Sequence, residues 1–430
     1  MTVDLVPAAV AVLETNWAGS HTLPATGLYP HQWSWDSSFI AIGLRHVSPR
    51  RAGQELDSLL SAQWLDGRLP QIVFDPHRDR EYAPGASFWR SSHIPASPPR
   101  LETAGFVQPP NHAWAVWEVH QADAHESARR GLLERAYPRL VAWHGYLTQR
   151  RKTAGLDLPF IVHPWESGTD NSPLWDEGLQ RVPGTPEARI DRVDLEHAAP
   201  TERPSDREYG RYFWLTERYR DHDCDDADTV YPFRFVDPMF AALLAVSERS
   251  LAAIAAEIGQ DPEPHRREAQ RIGTALESLW DPELGCYTAW DIIAEATVRK
   301  RTANGLVPLL LPGPHEDELL ATLRSAAFLG SGALLPPSYD TTAADFDAQR
   351  YWRGPAWFNI SWMLIRALQR VGRSDDSEIL QSRLTRLAVE HDFPEYVQPW
   401  TGAPHGTRRF SWTAALALDT ALAPPTASVP

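Results

Sequence analysis

The sequence predicts an all-α protein in which paired helices are joined by long, irregular loops. Ten segments place apolar residues at the three-to-four spacing of a helix. Alternating strand patterns are rare, and the clearest, at 285–293, predicts a short hairpin. Three stretches rich in proline and glycine, 66–110, 152–203 and 330–354, lack either period. An even number of similar helices suggests a ring of helix pairs with a pocket at one end, although no sequence repeat marks such a ring.

Apolar periodicity places each helix along the chain. Two further helices are expected, one near the N-terminus and one within 204–220. No composition shift marks a domain boundary, so we expect one domain over 1–430. The ten periodic segments are 35–47, 51–65, 112–128, 132–148, 238–258, 263–279, 316–328, 355–371, 377–391 and 411–421.

The composition is that of an ordinary folded protein. It has 43% hydrophobic and 23% charged residues, and 41 basic against 56 acidic residues give a net charge of −15. This balance argues against nucleic acid as a partner. The two cysteines, Cys224 and Cys286, form no disulfide framework. The apolar run at 5–13 follows Asp4, is broken by Pro7 and is too short to cross a bilayer, so we expect a soluble cytoplasmic protein with no membrane partner.

The long loops are unlike flexible linkers. Loops of more than about 15 residues are usually functional or disordered, and these contain many tryptophans, tyrosines, histidines and arginines. The chain has 18 tryptophans, whose flat rings either fill a core or pack on the apolar face of a sugar. We therefore expect these loops to build a binding site.

Two helix-preceding segments carry candidate binding residues. Segment 29–36 reads Tyr-Pro-His-Gln-Trp-Ser-Trp-Asp. Asp36 stands where a helix cap would, but its position near Tyr29 and Trp33 also suits a carboxylate that accepts hydrogen bonds from a hydroxylic ligand. A second segment opens another helix with Gln108 and two prolines, which is equally typical of a simple helix start.

A third segment, 163–173, contains two carboxylates in one loop. Glu166 and Asp170 lie close to Trp165, with a glycine between them that permits a tight turn. A carboxylic acid beside an apolar wall has a raised pKa and can act as a general acid. A surface turn with solvated acids is the alternative.

Two later segments complete the pattern. Tyr351, Trp352 and Trp357 lie just before a helix, and Glu395 lies among aromatic residues. Loops that pair aromatic rings with carboxylates, amides or guanidinium groups are expected around a sugar pocket. Because glycoside hydrolysis uses two carboxyl groups, Asp170 and Glu395 are the natural pair.

Four motifs, in this order, resemble glycoside hydrolase family 63, and more narrowly its short bacterial members that hydrolyse mannosylglycerate or glucosylglycerate. The resemblance spans residues 29–413. It implies an (α/α)6 toroid and hydrolysis of α-glycosides with inversion, with Asp170 as general acid and Glu395 as general base. The motifs are Trp33-Ser-Trp-Asp-Ser, Trp165-Glu-Ser-Gly-Thr-Asp-Asn-Ser-Pro, Tyr351-Trp-Arg-Gly-Pro-Ala-Trp, and Glu395-Tyr followed by Gly402 and Phe410-Ser-Trp.

The same resemblance implies the binding residues. Segment 202–212 is similar to the one that supplies an arginine and a tyrosine to glycerate, so Arg203 would pair with the carboxylate and Tyr209 would donate its hydroxyl. Tyr82 and Tyr351 are further candidates for that subsite. Arg203 could instead neutralise nearby acids. The implied sugar pocket uses Tyr29, Trp33, Asp36, Gln108, Trp165, Trp352 and Trp357.

Other chemistries find less support. Glu166 is a rival to Asp170 as the acid. The acidic run 221–228 lacks the glycine and the glutamate of a calcium loop, so we expect a solvated loop there. No zinc-binding histidine pair and no phosphate-binding glycine loop occurs. We therefore expect no metal and no cofactor.

Two rival functions remain open at this point. One is a hydrolase of the same fold that acts on a neutral disaccharide or on glucosylglycerol. The other is a sugar-binding protein that has lost catalysis. In each case the partner is a small glycoside, and an exposed apolar helix face would allow a homodimer or homotetramer.

Overall fold

The computed structural model describes residues 4–153, 155–228 and 230–423. The ends of the expected domain, 1–3 and 424–430, and residue 154 of the second long loop lie outside this range. Helices make up most of the described secondary structure, as the periodicity predicts.

The α-helices number fifteen among the described residues. Both additional helices, expected near the N-terminus and within 204–220, are present as the first and the ninth. The bounds are α1 Leu5–Thr15, α2 Ser34–Leu44, α3 Pro49–Ser61, α4 Ala86–Trp89, α5 His112–Ala122, α6 Ala124–Arg130, α7 Leu132–Gly145, α8 Asp176–Gln180, α9 Asp206–Asp221, α10 Pro238–Glu257, α11 Glu263–Leu276, α12 Glu316–Arg324, α13 Phe358–Arg370, α14 Ser374–Glu390 and α15 Ser411–Leu422.

The structure corrects two of the predicted helices. The helix expected over 112–128 is two helices, because the chain leaves helical geometry at Asp123 (φ −153°, ψ 85°) and the Asp123 carboxylate caps α6 by accepting from the Glu126 N–H at 2.9 Å. The helix expected over 355–371 begins only at Phe358, because the residues before it form a strand. Periodicity therefore locates the helices but not their ends.

In the described part of the chain, ten short strands pair into four small antiparallel sheets, in the orders β1-β2, β3-β6-β7, β4-β5 and β10-β9-β8. The single hairpin predicted at 285–293 is wrong in extent, since this segment contributes one strand to each of two hairpins, β4-β5 and β6-β7. The strands are β1 Gln32–Trp33, β2 Ile72–Val73, β3 Phe235–Val236, β4 Trp280–Asp281, β5 Cys286–Tyr287, β6 Ala289–Asp291, β7 Ala296–Val298, β8 Ala356–Trp357, β9 Tyr396–Val397 and β10 Pro404–His405.

The most buried helical segments contact one another in a closed cycle. Helix α2 packs against α5 and α15, α5 packs against α10, and α13 packs against α15, while the 3-10 helix Val307–Leu310 lies between α10 and α13. All eleven residues of α2 are buried. An outer helix packs on each of the five buried helices: α3 on α2, α7 on α5, α11 on α10, α14 on α13 and α1 on α15. The loops that precede α2, α5, α13 and α15 contribute residues to one pocket.

Helix α10 is the one helix among the described residues that could cross a membrane by length and composition. Its mean hydropathy is 1.5, but 83% of its apolar window is buried inside the protein. It packs against α5, α7 and α11. This apolar character is what a helix surrounded by other helices requires.

Candidate active site

A pocket of about 770 Å³ opens where α2, α5, α13 and α15 begin. Every residue predicted for catalysis or binding lines it, although the predictions came from seven separate stretches of the chain. These residues are Tyr29, Trp33, Asp36, Tyr82, Gln108, Trp165, Asp170, Arg203, Tyr209, Tyr351, Trp352, Trp357 and Glu395.

The pocket also has lining residues that the sequence analysis missed. Trp35, Gly168 and Trp412 lie within the quoted motifs, so the motifs themselves could have indicated that these residues line the pocket. Gln71 and Asp194 lie in the long loops outside any motif, and only their membership of those loops pointed to the site. The full additional set is Leu28, Trp35, Gln71, Ala83, Gly168, Asp191, Val193, Asp194, Phe410 and Trp412.

Aromatic rings form the walls of the pocket. Trp352 and Trp357 stack with centroids 3.8 Å apart and planes 5° apart, and Trp357 also stacks on Tyr396, its partner across β8 and β9. Trp33 meets Tyr29 and Tyr82 edge-on at 5.4 and 5.5 Å. Interlocked rings of this kind have little freedom to rotate, so they present fixed apolar surfaces.

The loop that carries Asp170 is pressed against α2. Gly168 adopts a left-handed backbone conformation (φ 73°), and a β-carbon there would overlap the indole of Trp35. The next residue, Thr169, is fixed by its carbonyl, which accepts from the Trp175 indole N–H at 2.9 Å. Glycine therefore permits the close approach that brings Asp170 to the pocket.

The Asp170 carboxyl group is suited to hold a proton. Burial raises its pKa to about 7, the Arg203 guanidinium opposes this shift, and the negative charge of Glu395 adds to it. Below pH 7 most of the carboxyl is therefore protonated, which is the state that a general acid needs.

Glu395 is buried but well provided with donors. The Tyr29 hydroxyl donates to its Oε1 at 2.8 Å, and the Thr407 N–H donates to its Oε2 at 3.2 Å. Burial raises the pKa of this carboxyl, whereas the Arg203 cation, 4.0 Å from Oε1, and the Tyr29 hydrogen bond lower it. These contacts favour the ionised form, which can accept a proton from water.

Arg203 is the only cationic side chain among the described residues that line the pocket. Its Nε donates to Asp194 Oδ2 at 3.2 Å, its Nη1 donates to the Tyr29 hydroxyl at 3.3 Å, and its guanidinium lies 4.3 Å from the centre of the Tyr351 ring. Asp194 is also held by Arg192, at 2.8 and 3.0 Å. Arg203 therefore does neutralise nearby acids, and it is held in a fixed orientation at the pocket wall.

The residue before Arg203 joins this loop to the one that holds Glu395. Glu202 Oε1 pairs with Nδ1 of His405 at 2.7 Å, and Glu202 Oε2 accepts from the Gly406 N–H at 3.0 Å. Gly406 directly precedes Thr407, whose N–H binds the Glu395 carboxylate. We call these contacts of Glu202 with His405 and Gly406 the Glu202 clasp.

The structure assigns Glu166, the rival acid, to a structural role. Its carboxylate does not line the pocket and is fully buried. It receives two hydrogen bonds from Arg151, at 2.8 and 2.9 Å, and the backbone N–H groups of Val162 and Val107 at 2.7 and 3.1 Å. With its oxygens fully occupied, Glu166 anchors the loop and is unsuited to proton transfer.

The acidic run 221–228 is not simply the solvated loop that the sequence predicts. Asp226 is buried, and its carboxylate accepts from the Arg151 Nε at 2.6 Å and from the hydroxyls of Tyr219 and Tyr146 at 2.7 and 2.6 Å. One arginine thus bridges this run to the loop of the site. Among the described residues, no group of three or more histidine, cysteine, aspartate or glutamate side chains could hold a metal ion.

Comparison with known proteins gives the family. The model of the "Mannosylglycerate hydrolase MGH1-like glycoside hydrolase domain" matches residues 29–413, the same span as the motif resemblance. The chain belongs to this family of glycoside hydrolases. The predicted family resemblance and enzyme class are therefore confirmed.

Three relatives of this hydrolase illustrate the match. The mannosylglycerate hydrolase of Rubrobacter radiotolerans is 40% identical, with 97% of each chain covered. The glucosylglycerate hydrolase of Mycolicibacterium hassiacum is 37% identical, also with 97% of each chain covered. The crystal structure of a family 63 mannosylglycerate hydrolase from Thermus thermophilus, in complex with Tris and D-glycerate, is 38% identical with a TM-score of 0.88, covering 97% of this chain and 99% of that one.

The packing of Gly168 on Trp35 can be tested by substitution. Gly168→Ala should lower the kcat/KM of this hydrolase roughly 100-fold, because the new methyl group pushes the Asp170 loop away from α2 and misplaces the carboxyl. Gly332→Ala is the matched control, since Gly332 also has a positive φ (85°) but no atom within 4 Å of the added carbon. Steady-state kinetics and thermal unfolding of both variants provide the measurement. Equal losses of activity would show that backbone strain alone is responsible.

Proposed function

We propose that this hydrolase cleaves glucosylglycerate or mannosylglycerate to the sugar and glycerate, with inversion at the anomeric carbon. The observation that carries the proposal is that the Asp170 and Glu395 carboxyl groups line the same tryptophan-walled pocket as the buried guanidinium of Arg203. The relatives named for these two substrates support it, as does the coverage of nearly the whole chain by each of them.

We also propose that the closed cycle of buried helical segments is the inner ring of an (α/α)6 toroid. Five of the six segments have an outer helix packed against them, as a ring of helix pairs requires. In such a ring the loops that precede the inner helices meet at one end. This arrangement accounts for a pocket assembled from segments as distant in sequence as 29–36 and 395–412.

Asp170 acts as the general acid in the proposed reaction. Its proton passes to the glycosidic oxygen while the bond between that oxygen and the anomeric carbon breaks, and the electron pair stays on the departing glycerate hydroxyl. A pKa near 7 allows this carboxyl to be protonated before the reaction and to release its proton readily during it.

Glu395 acts as the general base. It takes a proton from a water molecule, whose oxygen attacks the anomeric carbon on the face opposite to the departing glycerate, so the configuration inverts. This geometry requires about 6.5 to 9.5 Å between the two carboxyl groups to admit the water. The donors on both Glu395 oxygens favour the ionised starting state.

Arg203 and Tyr209 bind the glycerate carboxylate. Asp194 accepts from the Nε of Arg203 and the Tyr29 hydroxyl accepts from its Nη1, which leaves Nη2 for a ligand. Burial raises the pKa of Asp36 well above its usual range and that of Asp170 to about 7, so near neutral pH both acids carry less negative charge than exposed carboxylates do. A negatively charged leaving group is therefore compatible with a pocket that is rich in acids.

The remaining expectations concern cellular context. A cytoplasmic location is supported by two buried thiols, Cys224 and Cys286, that form no disulfide. A small glycoside as the partner follows from the enzyme class. The other expectations stay predictions. They are that the protein is a single domain, that it uses no metal or cofactor, that it binds neither nucleic acid nor membrane, and that it assembles into a homodimer or homotetramer.

Replacing the proposed acid should stop turnover without unfolding the protein. Asp170→Asn cannot donate a proton, so kcat should fall by roughly 10²- to 10⁴-fold. The exposed Asp317 provides the control variant Asp317→Asn, which should retain full activity. Proton NMR of the reaction should show the β anomer of the sugar released first by the wild-type enzyme. Full activity of Asp170→Asn would remove Asp170 from the mechanism, and initial release of the α anomer would exclude inversion.

The role of Arg203 is tested by comparing an anionic with a neutral substrate. Arg203→Met should raise KM for glucosylglycerate about 10- to 100-fold more than for glucosylglycerol, because only the former loses a charge-assisted hydrogen bond. Arg207→Met, at a residue that does not line the pocket, serves as the control. Equal increases of KM on the two substrates would favour the alternative of a neutral natural substrate.

The pH dependence of kcat/KM should report the protonation of Asp170. Since the proton is lost as the pH rises through about 7, kcat/KM should decline on the alkaline side with a midpoint near that value. The Arg203 cation lowers this pKa, so the decline should move to higher pH in Arg203→Met. A rate that stays constant up to pH 9 would contradict the assignment.

A further inference from the structure

Gln71 is a polar residue of the pocket that no sequence motif marks. It lies in the loop 66–110, directly before β2, and lines the pocket with only 2% of its surface exposed. Its side-chain amide makes no hydrogen bond to any residue in the described part of the chain. Most polar groups of buried residues in folded proteins are already paired, whereas the hydrogen-bonding groups of this amide are available to a ligand in the pocket.

The backbone of Gln71 is held on both sides. Its N–H donates to the Phe106 carbonyl at 2.7 Å, and its own carbonyl accepts from the Ser34 N–H at 2.9 Å. The next residue, Ile72, pairs with Trp33 across β1 and β2. These bonds fix the α-carbon of Gln71 beside the first turn of α2, so its side chain has little freedom to find a partner elsewhere.

Two other buried glutamines nearby have protein partners for their amides. Gln32 donates to the Ser37 hydroxyl at 3.0 Å and accepts from the Ser58 hydroxyl at 2.9 Å. Gln108, on the other side of the start of α2, accepts from the Trp35 N–H at 3.2 Å. Gln71 differs from both because neither end of its amide has a protein partner among the described residues.

We infer that Gln71 is a sugar-binding residue, and that its amide exchanges hydrogen bonds with a hydroxyl group of the sugar ring. This inference rests on the proposed function and adds a binding residue to it. A carboxamide offers one donor and one acceptor side by side, and a sugar hydroxyl both donates and accepts. The position beside the turn that carries Asp36 places the amide close to a second group suited to hydroxyls.

The chemistry separates this residue from the glycerate subsite. A carboxylate offers acceptors alone and is best bound by a guanidinium, which Arg203 provides. The acceptor oxygen of the Gln71 amide would be unpaired against such a group. The carboxylate of glycerate is therefore not the group that Gln71 binds, and we assign the contact to the glycone, which is common to charged and neutral substrates.

The first test is to remove the amide and compare two substrates. Gln71→Met keeps the side-chain length and loses both hydrogen-bonding groups, so kcat/KM should fall about tenfold on glucosylglycerate and by the same factor on glucosylglycerol. Gln63→Met is the control, because the Gln63 amide donates to the carbonyls of Gly67 and Arg139 outside the pocket. An unchanged kcat/KM, or a loss confined to glucosylglycerate, would overturn the inference.

The second test identifies the contact itself. Wild-type enzyme and Gln71→Met are titrated with glucose and its 2-, 3-, 4- and 6-deoxy analogues, with binding followed by the fluorescence of the pocket tryptophans. One deoxy analogue should bind the wild-type enzyme about tenfold more weakly than glucose but bind the variant as well as glucose does. If Gln71→Met does not fold, Gln71→Glu, which keeps the shape and loses the donor, replaces it. Identical losses in wild type and variant for every analogue would refute the contact.

The two proposals fail in different ways. If the wild-type enzyme hydrolyses neither glycerate glycoside, the proposed function is wrong, whereas the deoxy-sugar titration still reports on Gln71. If the wild-type enzyme is active and Asp170→Asn is not, but Gln71→Met behaves as Gln63→Met does, only the Gln71 inference is wrong.

Discussion

The placement of two carboxyl groups, the half-buried Asp170 and the buried Glu395, around a single guanidinium is the constraint on which the rest of the site depends. Removing a carboxylate from water disfavours its charge, so burial alone would leave both acids neutral. Arg203 opposes this effect at both acids, and the Tyr29 hydroxyl and the Thr407 N–H stabilise the charge of Glu395 further. The pKa of each carboxyl is nevertheless raised, that of Asp170 to about 7. In the proposed reaction Asp170 gives a proton and Glu395 takes one, and the donors around Glu395 favour this division.

Buried charges elsewhere in the protein behave differently. Glu166 and Asp226 share Arg151, and the two carboxylates are further saturated by backbone N–H groups or tyrosine hydroxyls. Breaking such a pair would leave an uncompensated charge, which makes it a rigid support. The same short loop thus begins with a fully paired acid that fixes it in place and ends, at Asp170, with an acid that faces the pocket. The two acids of this loop differ in their hydrogen bonds: the oxygens of Glu166 are fully paired, as suits a structural residue, whereas Asp170 faces the pocket.

Much of this arrangement could be predicted from the sequence. Apolar periodicity locates the helices because a one-sided core imposes it, but the break at Asp123 depends on a local cap that competes with helix continuation. The motifs predict many of the pocket residues because aromatic and carboxylate side chains lie close together in these short segments. Gln71 and Asp194 escape this reasoning since only tertiary structure brings them to the pocket. Likewise, Glu166 and Asp170 share one local context, and contacts of Glu166 with Arg151 and Val107, which the local sequence does not reveal, distinguish the two acids.

The Glu202 clasp has a consequence for how this enzyme lineage can change. Glu202 and Arg203 are consecutive, yet the first secures the loop that orders Glu395 while the second lies at the pocket wall. A backbone shift that adapts Arg203 to a different leaving group would also pull on His405 and Gly406. A change of substrate preference in the Arg203 loop would therefore also affect the position of Glu395, the proposed general base. We expect mutations in these two loops to be epistatic, so that a change in one is tolerated only after a compensating change in the other.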